Sequence, residues 1–250
     1  MRICVISDVH FKYLHDKPFD KENSAAVLNF LQDSVGKYNL MILNGDIFDL
    51  WFDWKHTIIG QYFPILHRFA NIREAGCKLV LISGNHDFWF NGFLSEHLGM
   101  KVEDREYRLM ADGRRMLFTH GDLHTVNDLR YKVFRRVIRL PLVKAAFSLL
   151  HPDLALSIGA LFSRSSRMRK VCSRLKSRKA SGMRAWAVKQ INGGKSDIVV
   201  MGHSHDPILE DIGSGVYANS GDWVQNHTYV EIIEGKLQLI KYIQTKETVK

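Results

Sequence analysis

The sequence predicts an α/β fold of α+β character, in one domain over residues 1–250, with a helical insertion at about 124–193. Three observations predict it. The first third alternates strand-like and helix-like runs, the pattern of a parallel sheet with ligand residues beyond its carboxyl ends. Beyond Gly99, short β-like runs are separated by hairpin-turn signals. The stretch between the hairpins has helical periodicity and repeated breaks.

Ile3 to Ser7 is a short apolar run that suits a first central strand. Asp20 to Val35 follows as an amphipathic helix, with Val27, Leu28, Leu31 and Val35 at helical spacing and Gly36 as the stop. Leu40 to Leu43 is the second strand, Ile58 to Glu74 the second helix and Lys78 to Ser83 the third strand. Glu106–Leu109 and Arg115–Thr119 flank Asp112-Gly113, a hairpin turn. His124 to Gly193 reads as helical, broken at Pro141 and at His151-Pro152-Asp153. Asp197 to Met201 is again a strand, followed by β-like runs at Ile208–Ile212, Val216–Ala218, Thr228–Ile233 and Leu237–Ile243. The helix-rich and hairpin-rich parts contribute to one set of candidate ligands, which favours one domain over two.

Three scattered cysteines, Cys4, Cys77 and Cys172, argue against a disulfide framework or a structural zinc site. The N-terminal apolar run is short and ends in Asp8, unlike a signal peptide. No apolar stretch reaches the roughly 18–20 residues that span a bilayer. These features predict a reduced, cytoplasmic protein. Net charge is +9, but residues 130–179 hold 14 Lys and Arg against one acid, Asp153. The basicity is therefore local, and the remainder is mildly acidic. Either this segment meets an anionic partner or it is a solvated helix face.

Five strand-like runs end in ligand-type residues. They are Asp8-Val9-His10, Gly45-Asp46-Ile47-Phe48-Asp49, Gly84-Asn85-His86-Asp87, His120-Gly121-Asp122 and Gly202-His203-Ser204-His205. Each alone is a weak signal; together they suit a two-metal site. Such a site needs a bridging carboxylate and mixed Asp, His and Asn shells. Asp-x-His at a strand end puts two ligands on one side of the chain, and His203 and His205 repeat that spacing. Hydroxide held between two divalent ions would be the nucleophile, attacking phosphorus in line without a covalent enzyme intermediate. A histidine with a carboxylate partner would protonate the leaving oxygen.

On these motifs the sequence resembles the calcineurin-like metallophosphoesterases, over most of its length. The resemblance implies a β sandwich flanked by helices with a dimetal centre. It implies Asp8, His10, Asp46 and His205 around one metal, and Asp46, Asn85, His120 and His203 around the other, with Asp46 as the bridge. His86 would face the substrate phosphate, oriented by Asp49, while Asp87 and Asp122 would fix their turns. Two divalent ions are implied, Mn2+ first among the candidates.

Three variable features point to the substrate. Aromatic residues follow Asp49, where protein phosphatases carry Arg-Gly. A basic helical insertion separates His120 from His203. Asn219-Ser220-Gly221-Asp222-Trp223 follows the last ligand pair. Together they resemble the UDP-2,3-diacylglucosamine diphosphatases of lipid A biosynthesis. Those enzymes release UMP and leave 2,3-diacylglucosamine 1-phosphate (lipid X). The best-known branch has Arg where this chain has His86.

The resemblance marks the insertion as an acyl-chain-binding lid, with Asp128, Lys132, Arg164 and Arg167 as candidate substrate contacts. The aromatic run from Phe48 to Trp54, Trp51 included, either walls a substrate pocket or caps the core. A UDP-sugar pyrophosphate and an anionic membrane both favour Arg and Lys, so peripheral association with the inner membrane is expected. Aromatic residues are not interleaved with the basic ones, and no nucleic-acid partner is expected. The alternative is a metallophosphoesterase acting on another nucleotide or phosphodiester.

Overall fold

The computed structural model describes residues 1–14, 18–126, 128–159 and 173–243, those at 173–179 by their backbone alone. Two sheets pack face to face. The first has the order β11-β10-β1-β2-β3-β4 and the second β5-β6-β7-β9-β8. In the first sheet, β1 (Arg2–Ile6), β2 (Leu40–Asn44), β3 (Lys78–Ile82) and β4 (Lys101–Glu103) run parallel. The parallel core expected from the first third is there, but it is extended beyond β1 by antiparallel β10 (Thr228–Ile233) and β11 (Lys236–Lys241). The second sheet pairs β5 (Glu106–Ala111) with β6 (Arg114–Thr119) as the expected hairpin. Beside β6 lie β7 (Ile198–Met201), β9 (Gly215–Asn219) and β8 (Ile208–Ile212).

Side-chain alternation with period two divides each central strand between two cores. Ile3, Val5, Leu40, Ile42, Val80 and Ile82 face Met116, Phe118, Ile198 and Val200 between the sheets. Cys4, Ile6, Met41, Leu43, Leu79 and Leu81 face outward, onto α1 (Pro18–Asp33) and α2 (Phe63–Glu74). Those helices offer Val27, Phe30 and Leu31, and Ile65, Leu66, Phe69 and Ile72. Leu117, Val199 and Met201 point the other way, onto Met183, Ala187 and Ile191 of α7 (Ser173–Asn192). The result is four layers, helix–sheet–sheet–helix, with Cys4 and Cys77 buried as small apolar residues.

Element boundaries differ from expectation by local chemistry. The second helix begins as a 3₁₀ turn at Gly60–Tyr62, and α2 proper starts at Phe63 with Pro64 in its first turn. There the missing N–H is harmless. A short α3 (Phe93–Leu98), capped by Gly99 at φ 58°, leads to β4; neither was expected.

Between β6 and β7 lie α4 (Leu129–Ile138), α5 (Pro141–Ser148), α6 (152–159) and α7. Helix α4 has an inverted polarity. Arg135 is only 7% exposed, whereas Leu129, Val133, Phe134 and Val137 face solvent. In α5, Leu142 is 80% exposed, and Leu149 at its C-cap 86%. Phe147 of α5 is the exception, packing on Phe52, Trp54 and Trp89. Backbone carbonyls complete the anchorage. Trp89 Nε1 donates to Ile138 O at 3.0 Å, Lys144 Nζ to Phe90 O at 3.0 Å and Tyr13 OH to Leu156 O at 3.0 Å. Among the described residues no helix is long and apolar enough to cross a membrane.

Candidate metal centre

The five ligand-bearing stretches follow β1, β2, β3, β6 and β7. β1, β2 and β3 run parallel to one another in the first sheet, as β6 and β7 do in the second, and their carboxyl ends meet at one edge of the sandwich. The backbone there is strained. Asp8, His10, Asp46, His203 and His205 all have φ between 47° and 62°, a region that L-residues rarely occupy. Hydrogen bonds hold them there: Asp8 N–H donates to Gly45 O, His10 N–H to Asp46 O and His203 N–H to Asp8 Oδ2. A side chain at Gly84 would overlap the Asp46 carboxylate, and one at Gly45 would overlap the His120 ring. These glycines are required by close approach.

Asp46 stands at the middle. Its Oδ1 accepts the N–H groups of Asn85 and His86 at 2.7 and 2.8 Å, which aims Oδ2 between two clusters. On one side, Asp8, His10 and His205 bring ligand atoms within 4.8 Å of one another. His205 Nε2 is 3.2 Å from Asp8 Oδ1, and His10 Nε2 is 3.9 Å from Asp46 Oδ2. On the other side, Asp46, His120 and His203 form a second group of the same size. Asn85 Oδ1 joins it, 3.2 Å from His120 Nε2 and 2.9 Å from His203 Nδ1. His120 Nε2 lies 3.4 Å from Asp46 Oδ2.

The donor set fits two divalent ions. Asp8 Oδ1 is buried and accepts no hydrogen bond among the described residues, as an oxygen reserved for a cation would be. His120 Nδ1 bonds Asn44 O at 3.0 Å, and His205 Nδ1 faces Asp222 Oδ2 at 3.4 Å. Each outer contact orients its ring and leaves Nε2 for a metal. Electrostatics agree. Burial would lower the His120 pKa, but the Asp46 carboxylate overrides it and raises it to about 10. Burial opposes ionisation of Asp46 too, yet His120 and His86 hold its carboxyl well below the usual range.

A family model for calcineurin-like phosphoesterases matches residues 1–207. The chain belongs to this family. It is a hydrolase of phosphoester bonds, and its candidate ligand groups suit the dimetal centre of that family. The chain is 25% identical over 247 residues to the UDP-2,3-diacylglucosamine hydrolase of Psychromonas ingrahamii, covering 96% of this chain and 97% of that one. It is 24% identical to the protein of the same name from Porphyromonas gingivalis, covering 91% and 92%. The Bordetella pertussis protein of that name is 29% identical over 78% of this chain and 75% of its own. A solved archaeal phosphodiesterase shares the fold, with a TM-score of 0.52 at 15% identity, covering 96% of this chain and 99% of that one.

The remaining expectations meet mixed outcomes. Asp49 meets His86 through its backbone carbonyl, and its carboxylate shares one cluster with His10 and His86. His86 Nδ1 is 3.2 Å from the backbone carbonyl of Asp49, while the carboxylate turns toward Lys12 and His10. Trp51 is not a substrate wall. It is 1% exposed, stacked on Tyr62 and packed against Phe48, so this ring caps the core. Lys132 donates to Thr125 O at 3.1 Å, and Asp128 is the N-cap residue of α4. Arg164 and Arg167 lie outside the described residues.

Asp87 fixes its turn, whereas the Asp122 carboxylate clamps α4. Asp87 accepts N–H bonds from Asp46, Ile47, Phe48 and Gly84. Asp122 Oδ2 accepts Tyr131 OH at 2.6 Å and lies 2.7 Å from Arg135 Nε. This clamp brings the polar face of α4 over the centre, where the Tyr131 ring lies 6.4 Å from His203. Arg139, at the end of α4, donates to Gly84 O and pairs with Asp104.

In the sequence Asp222 is marked only as part of the stretch that follows the last ligand pair. It is the carboxylate behind His205, and it ends the β9 turn by accepting from Val224, Gln225 and Asn226. Burial raises its pKa, but His205 and the Gln225 and Asn226 amides bring it down to about 2. The Gly-Asp-Trp stretch was the available signal.

Proposed function

We propose that this protein hydrolyses the pyrophosphate of UDP-2,3-diacylglucosamine to UMP and 2,3-diacylglucosamine 1-phosphate. Residues 1–250 are read as one metallophosphoesterase domain. Asp8, His10, Asp46 and His205 would hold one divalent ion, and Asp46, Asn85, His120 and His203 the other, with Mn2+ preferred. Bound there, the ions would supply a water of lowered pKa and neutralise charge on the phosphate oxygens.

The chain's own groups do the rest. The carbonyl of Asp49 accepts from His86 Nδ1 and thereby fixes the ring. With Nδ1 so engaged, Nε2 is the nitrogen that carries a proton to the leaving oxygen. Asp222 orients His205, and the Asn44 carbonyl orients His120.

The inverted polarity of α4 carries the substrate assignment. Its Tyr131, Arg135 and Arg139 side is turned to the metal centre, and its Leu129, Val133, Phe134 and Val137 side is left bare. A substrate with a pyrophosphate at one end and acyl chains at the other matches such an arrangement. The names of the curated relatives support the same reading. The bare apolar helices and the local positive charge also favour peripheral binding of an anionic membrane, in the cytoplasm at the inner membrane face.

The test is UMP release from UDP-2,3-diacylglucosamine with Mn2+, beside a UDP-N-acetylglucosamine control. The reading predicts release from the acylated substrate alone. No release, from a protein that hydrolyses an aryl phosphodiester, rejects the lipid assignment and keeps the reaction class.

A further inference from the structure

Ser7 and Ser220 are fully buried hydroxyls that belong to none of the five ligand stretches. Ser7 follows β1 in one sheet, and Ser220 follows β9 in the other. Their Oγ atoms are 2.7 Å apart, and Ser7 Oγ lies 2.5 Å from Asp8 Oδ2. A carboxylate only accepts, so the Ser7 proton goes to Asp8. The Ser7 oxygen then accepts from Ser220. The other contacts of the pair are longer, 3.4 Å from Ser7 to Gly221 O and 3.3 Å from Ser220 to Met201 O. The two hydroxyls thus form one relay between the sheets, in which each bond strengthens the next.

The two oxygens of Asp8 are treated unequally. Oδ2 accepts the Ser7 hydroxyl and, at 2.8 Å, the His203 N–H. Oδ1 accepts no hydrogen bond among the described residues and faces His205 Nε2 at 3.2 Å. A side chain at Gly202 would overlap both Ser7 and Asp8 Oδ2, so the loop after β7 closes the Oδ2 side. A carboxylate can hold a cation through one oxygen or through both. Here two charge-assisted hydrogen bonds occupy one oxygen, and the other is left for the cluster with His10 and His205.

We propose that Ser7 and Ser220 are positioning residues for the ion of Asp8, His10, Asp46 and His205: their relay pins Asp8 Oδ2 and makes Asp8 a one-oxygen ligand through Oδ1. The proposal rests on Asp8 being a metal ligand and is independent of the lipid assignment.

The test titrates Mn2+ alone into metal-free protein by calorimetry, with thermal unfolding recorded for each variant. Asp8→Ala is expected to abolish one of two Mn2+ sites. Ser7→Ala is expected to weaken that same site about tenfold or more, the usual cost of losing an outer contact to a ligand, and to leave the other as in wild type. Ser220→Ala removes only the far hydroxyl and is expected to weaken the same site by less. The two hydroxyls act in series, so Ser7→Ala/Ser220→Ala is expected to bind no worse than Ser7→Ala. Two tight sites in Asp8→Ala reject the ligand assignment, and the relay with it. A site lost in Asp8→Ala but unchanged in Ser7→Ala rejects the relay alone, even if the melting temperature falls. So do equal losses at both sites in Ser7→Ala, or a double variant weaker than Ser7→Ala. If Ser7→Ala does not fold, Ser220→Ala decides: wild-type constants at both sites overturn the proposal.

Discussion

The carboxylate of Asp87 accepts the backbone N–H of Asp46 at 2.9 Å, while the Asp46 carboxylate accepts the N–H groups of Asn85 and His86. The loops after β2 and β3 are thus strapped together in both directions. Both Asp87 oxygens are used twice, Oδ1 by Asp46 and Gly84 and Oδ2 by Ile47 and Phe48. An amide in this place would turn an NH2 toward two donors. Asp87→Asn is expected to cost about 3 kcal/mol of stability, the range for losing buried charged hydrogen bonds. Metal affinity should fall with it. Urea unfolding and a metal titration on the same protein check both.

Metal binding is expected to release protons. The metal-free centre keeps a proton on His120, because Asp46 raises its pKa to about 10 against the effect of burial. The pKa of His205 is raised as well, by Asp8 and Asp222 against burial. A ligating imidazole must be neutral. Apparent Mn2+ affinity should therefore climb as pH rises from neutrality and level off once pH passes about 10. Calorimetry in buffers of different ionisation enthalpy reads the released protons directly. Heats that do not depend on the buffer would contradict the coupling of His120 to Asp46.

The ligand set was legible because it is written locally. Each stretch is a buried strand followed by Gly or a short turn, and parallel strands bring their carboxyl ends to one edge. What was not legible depends on partners far away in sequence. The sequence leaves Trp51 between pocket wall and core cap, and Tyr62, in the 3₁₀ turn before α2, and Phe93 cover it. The Asp49 carboxylate pairs with Lys12, 37 positions earlier. Asp222 became an outer partner of His205 only through the turn after β9. The exposure of the apolar side of α4 could not be read from periodicity, which marks a face without saying which way it points.

Trp51 therefore belongs to stability. Trp51→Ala is expected to destabilise the protein by about 3–5 kcal/mol, as aromatic truncation in a core does. Trp51→Phe should leave KM unchanged. Thermal melts and steady-state kinetics separate the two effects; a large rise in KM for Trp51→Phe would return this ring to the substrate.

Leu142 and Leu149 make the opposite case. They are 80% and 86% exposed, so replacing both with Asn should leave the melting temperature unchanged. The same change is expected to weaken sedimentation with anionic vesicles and to spare hydrolysis of an aryl phosphodiester. Binding of the wild type should also decline with added salt, since residues 130–179 hold 14 Lys and Arg. Vesicle binding that ignores both changes would leave the bare helices without this role.

The bridging role of Asp46 is tested most directly by anomalous diffraction from crystals grown with Mn2+, recorded at the manganese edge. Two peaks are predicted, about 3.5–4 Å apart, flanking Asp46 Oδ2, with Asp8, His10 and His205 around one and Asn85, His120 and His203 around the other. A single peak, or two peaks that do not share Asp46, would contradict the account.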